Sequence, residues 1–347
     1  MSRLNFFDST LRDGSHAIRH QITKQNITDY CKAMDSAGMH TIIVGHGNGL
    51  GASSLQVGLS LLEDNAMLQI ARDNLDKTKL GTFLIPGFGT IKEHIEPAID
   101  IGVDLVCVAS HCTEADVTRQ HLEFVRKKGK DAYGVLMMYH MTSTENLLEE
   151  ALKMQSYGAM GVIIMDSAGA STPEMTKRTI STLYDNMDIK VGFHSHNNLG
   201  LAVSNAYIAF KEGASIIDGT IRGFGAGAGN CQLEALVALI EKTGVSTGLD
   251  FYRLLDTSEG IIRSMMTEDK GLSAINIVSG MAGVFSAFDS HVMKAALQFG
   301  VDPRDIFVEL GRRKAVGGQE DMIVEIAQKL CQKNQVDDFT YQLESLL

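Results

Sequence analysis

The chain has 347 residues, a formal charge of −11 at neutral pH, 44% hydrophobic residues and 21% charged residues, a composition that suits a globular protein with a real core. The acidic balance and the lack of a basic block argue against nucleic acid as a partner, and no apolar run reaches the roughly 18 residues of a membrane span. The five cysteines (Cys31, Cys107, Cys112, Cys231, Cys331) are scattered and form no C-x-x-C pair, which fits reduced thiols in a cytoplasmic protein better than a zinc or disulfide framework.

In chain order, short runs rich in Val, Ile and Phe alternate with helix-compatible segments. "LNFFDST" opens the series and leads into "DSTLRDGSHAIRHQ", Asp8 to Gln21, a dense block of ionisable residues. An ordinary leader of about 15–30 residues would remove that block, so a cleaved signal peptide is not expected. A helix is predicted over Thr23–Ala37, then the run "TIIVGHG" and the run "LGTFLIPG". Helices over Ile91–Ile101, Thr113–Lys128, Ser143–Tyr157, Pro173–Asn186 and Gly200–Glu212 separate the runs "DLVCVASH", "AYGVLMMYH", "GVIIMDSAG", "KVGFHSHN" and "IIDGTIRG". Gly38, Gly102, Gly158 and Gly213 each follow a predicted helix, where glycine commonly ends one.

Eight strands alternating with helices predict an α/β fold with a parallel sheet. Eight units in about 225 residues favour a (β/α)8 TIM barrel over an open sheet. No G-x-G-x-x-G follows the first strand, which weakens a dinucleotide-binding reading. From about Asp250 the pattern is mostly helical. The expected organisation is a catalytic barrel over residues 1–250 and a C-terminal mostly helical extension over 251–347.

In such barrels the chemistry lies where strands end. His16, His20, His46, His111, His140, His194 and His196 fall at that rim. A lone rim histidine is as readily a hydrogen-bonding structural residue, and that reading stands for His46, His111 and His140. His194 and His196 differ, because residues i and i+2 of a strand face one side. With Asp13 at the same rim they make a two-imidazole, one-carboxylate set with open positions, suited to Mn²⁺, Mg²⁺, Co²⁺ or Zn²⁺. Arg12 reads either as a salt bridge fixing its loop or as a permanent cation for a developing oxyanion. His16 reads as a general acid or base with a pKa near neutrality. "GFGAGAGN", Gly223–Asn230, reads as a tight turn or as a phosphate loop, with Asn230 as a candidate contact.

With these residues in place, the chain resembles the 4-hydroxy-2-oxovalerate aldolases, metal-dependent pyruvate aldolases of the HMG-CoA lyase-like barrel superfamily. The resemblance rests on "TLRDGSHAIRHQ", "VGHGNGLGASS", "VASHCTEADVTRQH", "GAGAGN", "MAGVFSAF" and "ELGRRKAVGGQEDMIV". It implies class II aldol chemistry that joins or splits pyruvate, a 2-oxo acid, and an aldehyde. It implies a metal, usually Mn²⁺, on residues matching Asp13, His194 and His196. A residue matching Arg12 would stabilise the enolate, and one matching His16 would take the proton of the C4 hydroxyl. His46, Ser167, Met281 and Phe285 are then expected around the substrate. The resemblance also implies an oligomer and an acylating aldehyde dehydrogenase partner docked on the C-terminal helices.

The chain departs from the family pattern. Where members usually read "GYAGVYSSF", this chain reads "GMAGVFSAF", so Met281 and Phe285 replace two tyrosines; Ile43 and Asn48 replace a glutamate and an aspartate near the second strand. These changes fall on the aldehyde side of the substrate. Two alternatives stay open: a Claisen-type condensation using an acyl-CoA, and a non-catalytic barrel acting as a binding partner.

Overall fold

The computed structural model describes residues 4–266 and 272–346, with side chains described to residue 333. Eight strands form in the predicted order: β1 (Asn5–Asp8), β2 (Thr41–Ile43), β3 (Lys79–Leu84), β4 (Leu105–His111), β5 (Asp131–Met137), β6 (Gly161–Asp166), β7 (Lys190–Ser195) and β8 (Ile216–Gly219). Each pairs in parallel with its sequence neighbour, and β8 pairs with β1 to close the barrel. The strands read as unbroken apolar runs because both faces are buried. Phe7, Phe83, Leu105, Tyr133, Ile163 and Met165 fill the interior, so the barrel is a packed core and not a pore. Their alternates, among them Phe6, Ile42, Leu84, Val106 and Ile164, face outward into the helix layer.

That layer consists of α1 (Lys24–Ser36), α2 (Asp64–Arg72), α3 (Glu96–Ile101), α4 (Arg119–Lys127), α5 (Thr144–Ser156), α6 (Pro173–Asn186), α7 (Ala202–Lys211) and α8 (Leu233–Lys242). Side-chain caps set several starts. Thr23 and Asn26 form a reciprocal capping box on α1, and the Ser143 and Thr172 hydroxyls accept from Asn146 N and Met175 N. Two predicted helices are less regular than their sequences suggest. Ile91–Ile95 winds as a π-turn before α3, and Ala115–Thr118 winds as a 3-10 turn before α4. The periodicity did not single out α2.

Beyond α8 lie α9 (Phe251–Thr257), α10 (Arg263–Met265), α11 (Ala274–Ala282), α12 (Asp289–Phe299), α13 (Pro303–Arg312) and α14 (Asp321–Leu346). Leu254 and Ile262 are buried in the barrel's outer core. Val284, Phe288, Val292, Ile306, Phe307, Leu310, Ile323 and Ile326 form a core of their own. A domain is defined by its own core. We propose on this ground a division after Ile262, a little later than the expected 250.

Candidate active site

After β1 the chain turns back over the barrel mouth. Thr10 N and Oγ1 both donate to Asp8 Oδ1, at 2.9 and 2.5 Å. This turn delivers Arg12 and Asp13 to the rim, both about 3% exposed. Arg12 Nη1 donates to Asp13 Oδ2 at 2.8 Å and to the Gly47 carbonyl at 3.2 Å, while Nη2 donates to Ser9 Oγ at 3.3 Å. Its guanidinium lies over the Phe83 ring, 4.6 Å from the centroid. The Arg12 Nε is buried and has no partner. The two readings of Arg12 are thus compatible: it fixes the turn and also keeps a donor for something else.

The glycine-rich loop after β8 spends its donors inward. Asn230 Nδ2 and Ala226 N donate to Asp13 Oδ1 at 2.8 and 3.2 Å. A Cβ on Gly225 would fall 2.7 Å from that oxygen, so only glycine lets the loop close over the carboxylate. Burial opposes ionisation of Asp13, but the Arg12 cation and the nearby imidazoles outweigh it and hold the carboxyl well below the usual range.

His194 lies on β7 and His196 one residue past its end, where it bridges to Asn230. Their ring centroids are 5.2 Å apart, and His196 Nε2 is 3.8 Å from Asp13 Oδ2. Ligand atoms of Asp13, His194 and His196 all lie within 4.8 Å of one another, and all three side chains are buried. Burial holds His196 neutral, with its pKa pushed down to about 4. Both ring nitrogens of His194 and Nδ1 of His196 are buried without a hydrogen-bond partner. Each such nitrogen costs about 1–3 kcal/mol unless something satisfies it. A divalent cation would take one nitrogen of each imidazole, and the two-nitrogen, one-oxygen donor set fits it.

A cavity of about 750 Å³ opens beside the rim, with His16, Arg19, His20, Asn48, Ala226 and Phe285 among its lining residues. His16 is where the sequence puts it, but its expected pKa near neutrality is corrected. Burial pushes it down to about 4, with Asp13 pulling the other way. Among the remaining expected residues only Phe285 lines the cavity. His46 is fully buried, stacks on His20 at 3.7 Å, and accepts from Asn48 N at 3.0 Å. Ser167 is buried, and its hydroxyl accepts from Met138 N at 3.2 Å. Met281 is 71% exposed on α11 and points away from any of these contacts. His111 pairs with Thr113 and His140 with the Gly283 carbonyl.

One functional neighbour escaped the sequence reading. Asp218 of β8 stands in register with His194, its Oδ2 3.1 Å from Nδ1 but not aligned as a hydrogen bond. The signal was present, since "IIDG" puts an acid on the strand next to the histidine strand. A carboxylate that accepts from a ligating imidazole orients the ring and fixes its tautomer; Asp218 lies within reach of Nδ1 without making that bond.

The closed barrel thus carries, at the rim where β1 and β7 end, a buried His-His-Asp group whose donor atoms could hold a metal ion. Residues 3–261 match the HMGL-like family model, and residues 271–332 match the DmpG-like communication domain. The chain belongs to the HMGL-like family. It is 54% identical over 328 residues to a protein of Pectobacterium atrosepticum named 4-hydroxy-2-oxovalerate aldolase, covering 94% of this chain and 96% of that one. A protein of the same name from Spirochaeta aurantia is 51% identical, covering 93% and 95%. Two solved structures share the fold. A putative aldolase domain from Bacteroides vulgatus superposes with a TM-score of 0.71 at 22% identity, covering 83% of this chain and 96% of that one. The carboxyl transferase domain of Rhizobium etli pyruvate carboxylase superposes with 0.81 at 14%, covering 96% and 62%.

Proposed function

We propose that this protein is a class II pyruvate aldolase acting on 4-hydroxy-2-oxo acids, on the pattern of its 4-hydroxy-2-oxovalerate aldolase relatives. The observation that carries the reading is the set of unpartnered imidazole nitrogens beside Asp13 and Arg12, next to a cavity that His16 lines. Asp13, His194 and His196 would hold one divalent ion, Mn²⁺ in our reading, with Mg²⁺, Co²⁺ or Zn²⁺ as the other candidates. When bound, such an ion supplies Lewis acidity toward the 2-oxo acid. The protein's own groups do the rest. Neutral His16 takes the proton of the C4 hydroxyl; C4 becomes the aldehyde carbonyl as the C3–C4 bond breaks. The electron pair moves toward the C2 oxygen, where the Arg12 guanidinium stabilises the enolate charge. Protonation at C3 then gives pyruvate.

Arg12→Ala is expected to lower turnover about 10²–10³-fold, the size of losing one preorganised charge stabiliser. Arg12→Lys should recover only part of it, because an ammonium keeps the charge but not the planar fork that reaches Asp13, Gly47 and Ser9 together. Steady-state kinetics of both variants, with metal content measured alongside, decide the point; full activity in Arg12→Ala would remove the residue from the mechanism.

The acceptor side is altered. Phe285 keeps the family's ring and lacks its hydroxyl, so the cavity offers the aldehyde an apolar wall. We expect tolerance for aldehydes bulkier and more apolar than acetaldehyde, and weaker stereocontrol. Phe285→Tyr should restore one hydrogen bond, about 0.5–1.5 kcal/mol, and shift the kcat/KM ratio of acetaldehyde over a larger aldehyde about 2- to 10-fold toward acetaldehyde. The function itself is tested by exchange of pyruvate methyl protons in deuterated water, beside an aldehyde panel with adducts identified by mass spectrometry. Exchange plus adducts supports the aldolase. No exchange with saturating Mn²⁺ counts against it, and release of CoA from an acyl-CoA would support a Claisen reaction instead. The 271–332 region is read as the docking surface for an acylating aldehyde dehydrogenase, in the manner that its communication-domain match suggests.

A further inference from the structure

Phe285 reaches the cavity from a short strap, residues 283–287, between α11 and α12. The strap belongs to the C-terminal helices, yet its polar contacts go to the barrel rim. His140, after β5, faces the Gly283 carbonyl through Nε2 at 3.1 Å. The Ser167 carbonyl, after β6, accepts from Ser286 N at 3.1 Å. Asn198, after β7, accepts from Ser286 Oγ through Oδ1 at 3.0 Å. Asn198 also reaches back to α11, donating from Nδ2 to the Asn276 carbonyl at 3.4 Å. Ser286 and Asn198 are each about 1% exposed, so neither can exchange its partner for water at no cost.

Two close approaches depend on these residues. Gly280 of α11 packs so tightly that a Cβ there would fall 2.8 Å from Asn198 Cβ. Gly283 ends α11 at φ +68°, a left-handed conformation that turns the chain out of the helix and presents its carbonyl to His140. Between these anchors the Phe285 ring lies against the cavity, with Phe288 edge-on at 5.8 Å and the backbone of Gly317 behind it. Gly317 lies in the loop before α14. The ring that walls the acceptor side therefore rests on the C-terminal domain and is tied to the barrel by the His140 and Ser167 contacts and by one buried side-chain pair, Ser286 and Asn198. Asn198 sits two residues past His196.

We infer that Ser286 and Asn198 are positioning residues for the acceptor-aldehyde site. Their hydrogen bond sets the place of the Phe285 wall relative to the catalytic rim, and it couples the C-terminal helices to acceptor selection. The inference rests on the aldolase reading for its kinetic consequence, but not for its structural one. Neither residue is among the proposed metal ligands or beside Arg12. The tie governs the half of the reaction in which the aldehyde is held, while enolate formation proceeds without it.

The test compares Ser286→Ala with the intact metal-loaded protein in three measurements. The KM for the aldehyde is expected to rise several-fold, and discrimination between acetaldehyde and a larger aldehyde to fall. Pyruvate methyl exchange and Mn²⁺ content should stay within a factor of two of the parent. Amide hydrogen exchange across residues 284–288 should quicken, whether or not any aldehyde is turned over. Asn198→Leu, which removes both the acceptor for Ser286 and the donor to the Asn276 carbonyl, should move the aldehyde KM and the amide exchange in the same direction as Ser286→Ala and further. An unchanged aldehyde KM and unchanged amide exchange in Ser286→Ala would overturn the inference. So would a parallel fall in proton exchange and aldehyde turnover, the mark of a general structural defect. If the parent protein neither exchanges pyruvate protons nor forms adducts, the aldolase reading fails; the amide exchange then judges the tie by itself.

Discussion

His196→Ala is expected to leave the protein folded and unable to retain a stoichiometric divalent ion, with aldol cleavage reduced to background. His196 is one of three side chains whose ligand atoms converge within 4.8 Å, and two protein ligands rarely hold such an ion against water. The substitution removes a buried imidazole from beside Asp13 and leaves that carboxylate satisfied by Arg12, Asn230 and Ala226, at the cost of one contact to the Ala226 backbone. The loss should therefore appear in metal content and turnover, and not in a large drop in Tm. Dialysed protein analysed for Mn²⁺, beside a thermal melt, separates the two. Full metal occupancy in the variant would remove His196 from the ligand set. Chelation of the intact protein should reproduce the activity loss and be reversed by added Mn²⁺.

Much of this arrangement was legible in the sequence, for identifiable reasons. The strands were readable because burial on both faces leaves uninterrupted apolar runs such as "LVCVAS" and "VIIM". The convergence of Asp13, His194 and His196 was readable because strand periodicity puts the two histidines on one side, and barrel topology brings β1 and β7 to a common rim. What stayed hidden depends on contacts between segments distant in sequence. Asp218 gains its meaning only from the register of β7 and β8. The glycine loop read equally as a tight turn or a phosphate loop, and the sequence did not reveal that its donors close on Asp13. His46 has the look of a rim histidine; its nitrogens are occupied by Asn48 N and the Gly58 carbonyl, so it supports the loop that frames the cavity.

The placement of Met281 and Phe285 follows the same logic. They stand four apart on the sequence, a spacing that would share a face if the helix continued. Gly283 ends the helix between them. Met281 stays on the exposed side of α11, and Phe285 passes onto the strap at the cavity. The two departures from the family's tyrosines are therefore unequal. The change at 285 falls on the wall of the cavity, whereas the change at 281 falls on the exposed face of α11.

His16→Ala is expected to lower aldol cleavage about 10²–10⁴-fold, the range for losing a positioned general base, while pyruvate methyl exchange persists. The split follows from the role: His16 serves the C4 hydroxyl, and exchange at the methyl group of pyruvate needs no proton transfer there. The pH profile gives a second, independent reading. Burial pushes the His16 pKa down to about 4, from an ordinary value of about 6.5. Its neutral, proton-accepting form is then the main form throughout the range above pH 5. The acid limb of kcat/KM should accordingly lie below 6.5 and approach 4, with activity falling as pH drops. A bound divalent cation has the same sign of effect, since it disfavours the imidazolium further. In the His16→Ala variant the part of that limb due to the base should be lost, and only the part that follows protonation of His196 should remain. A limb that persists unchanged would assign the base to another group, and loss of methyl exchange together with cleavage would mean that His16 acts on the enolate step as well.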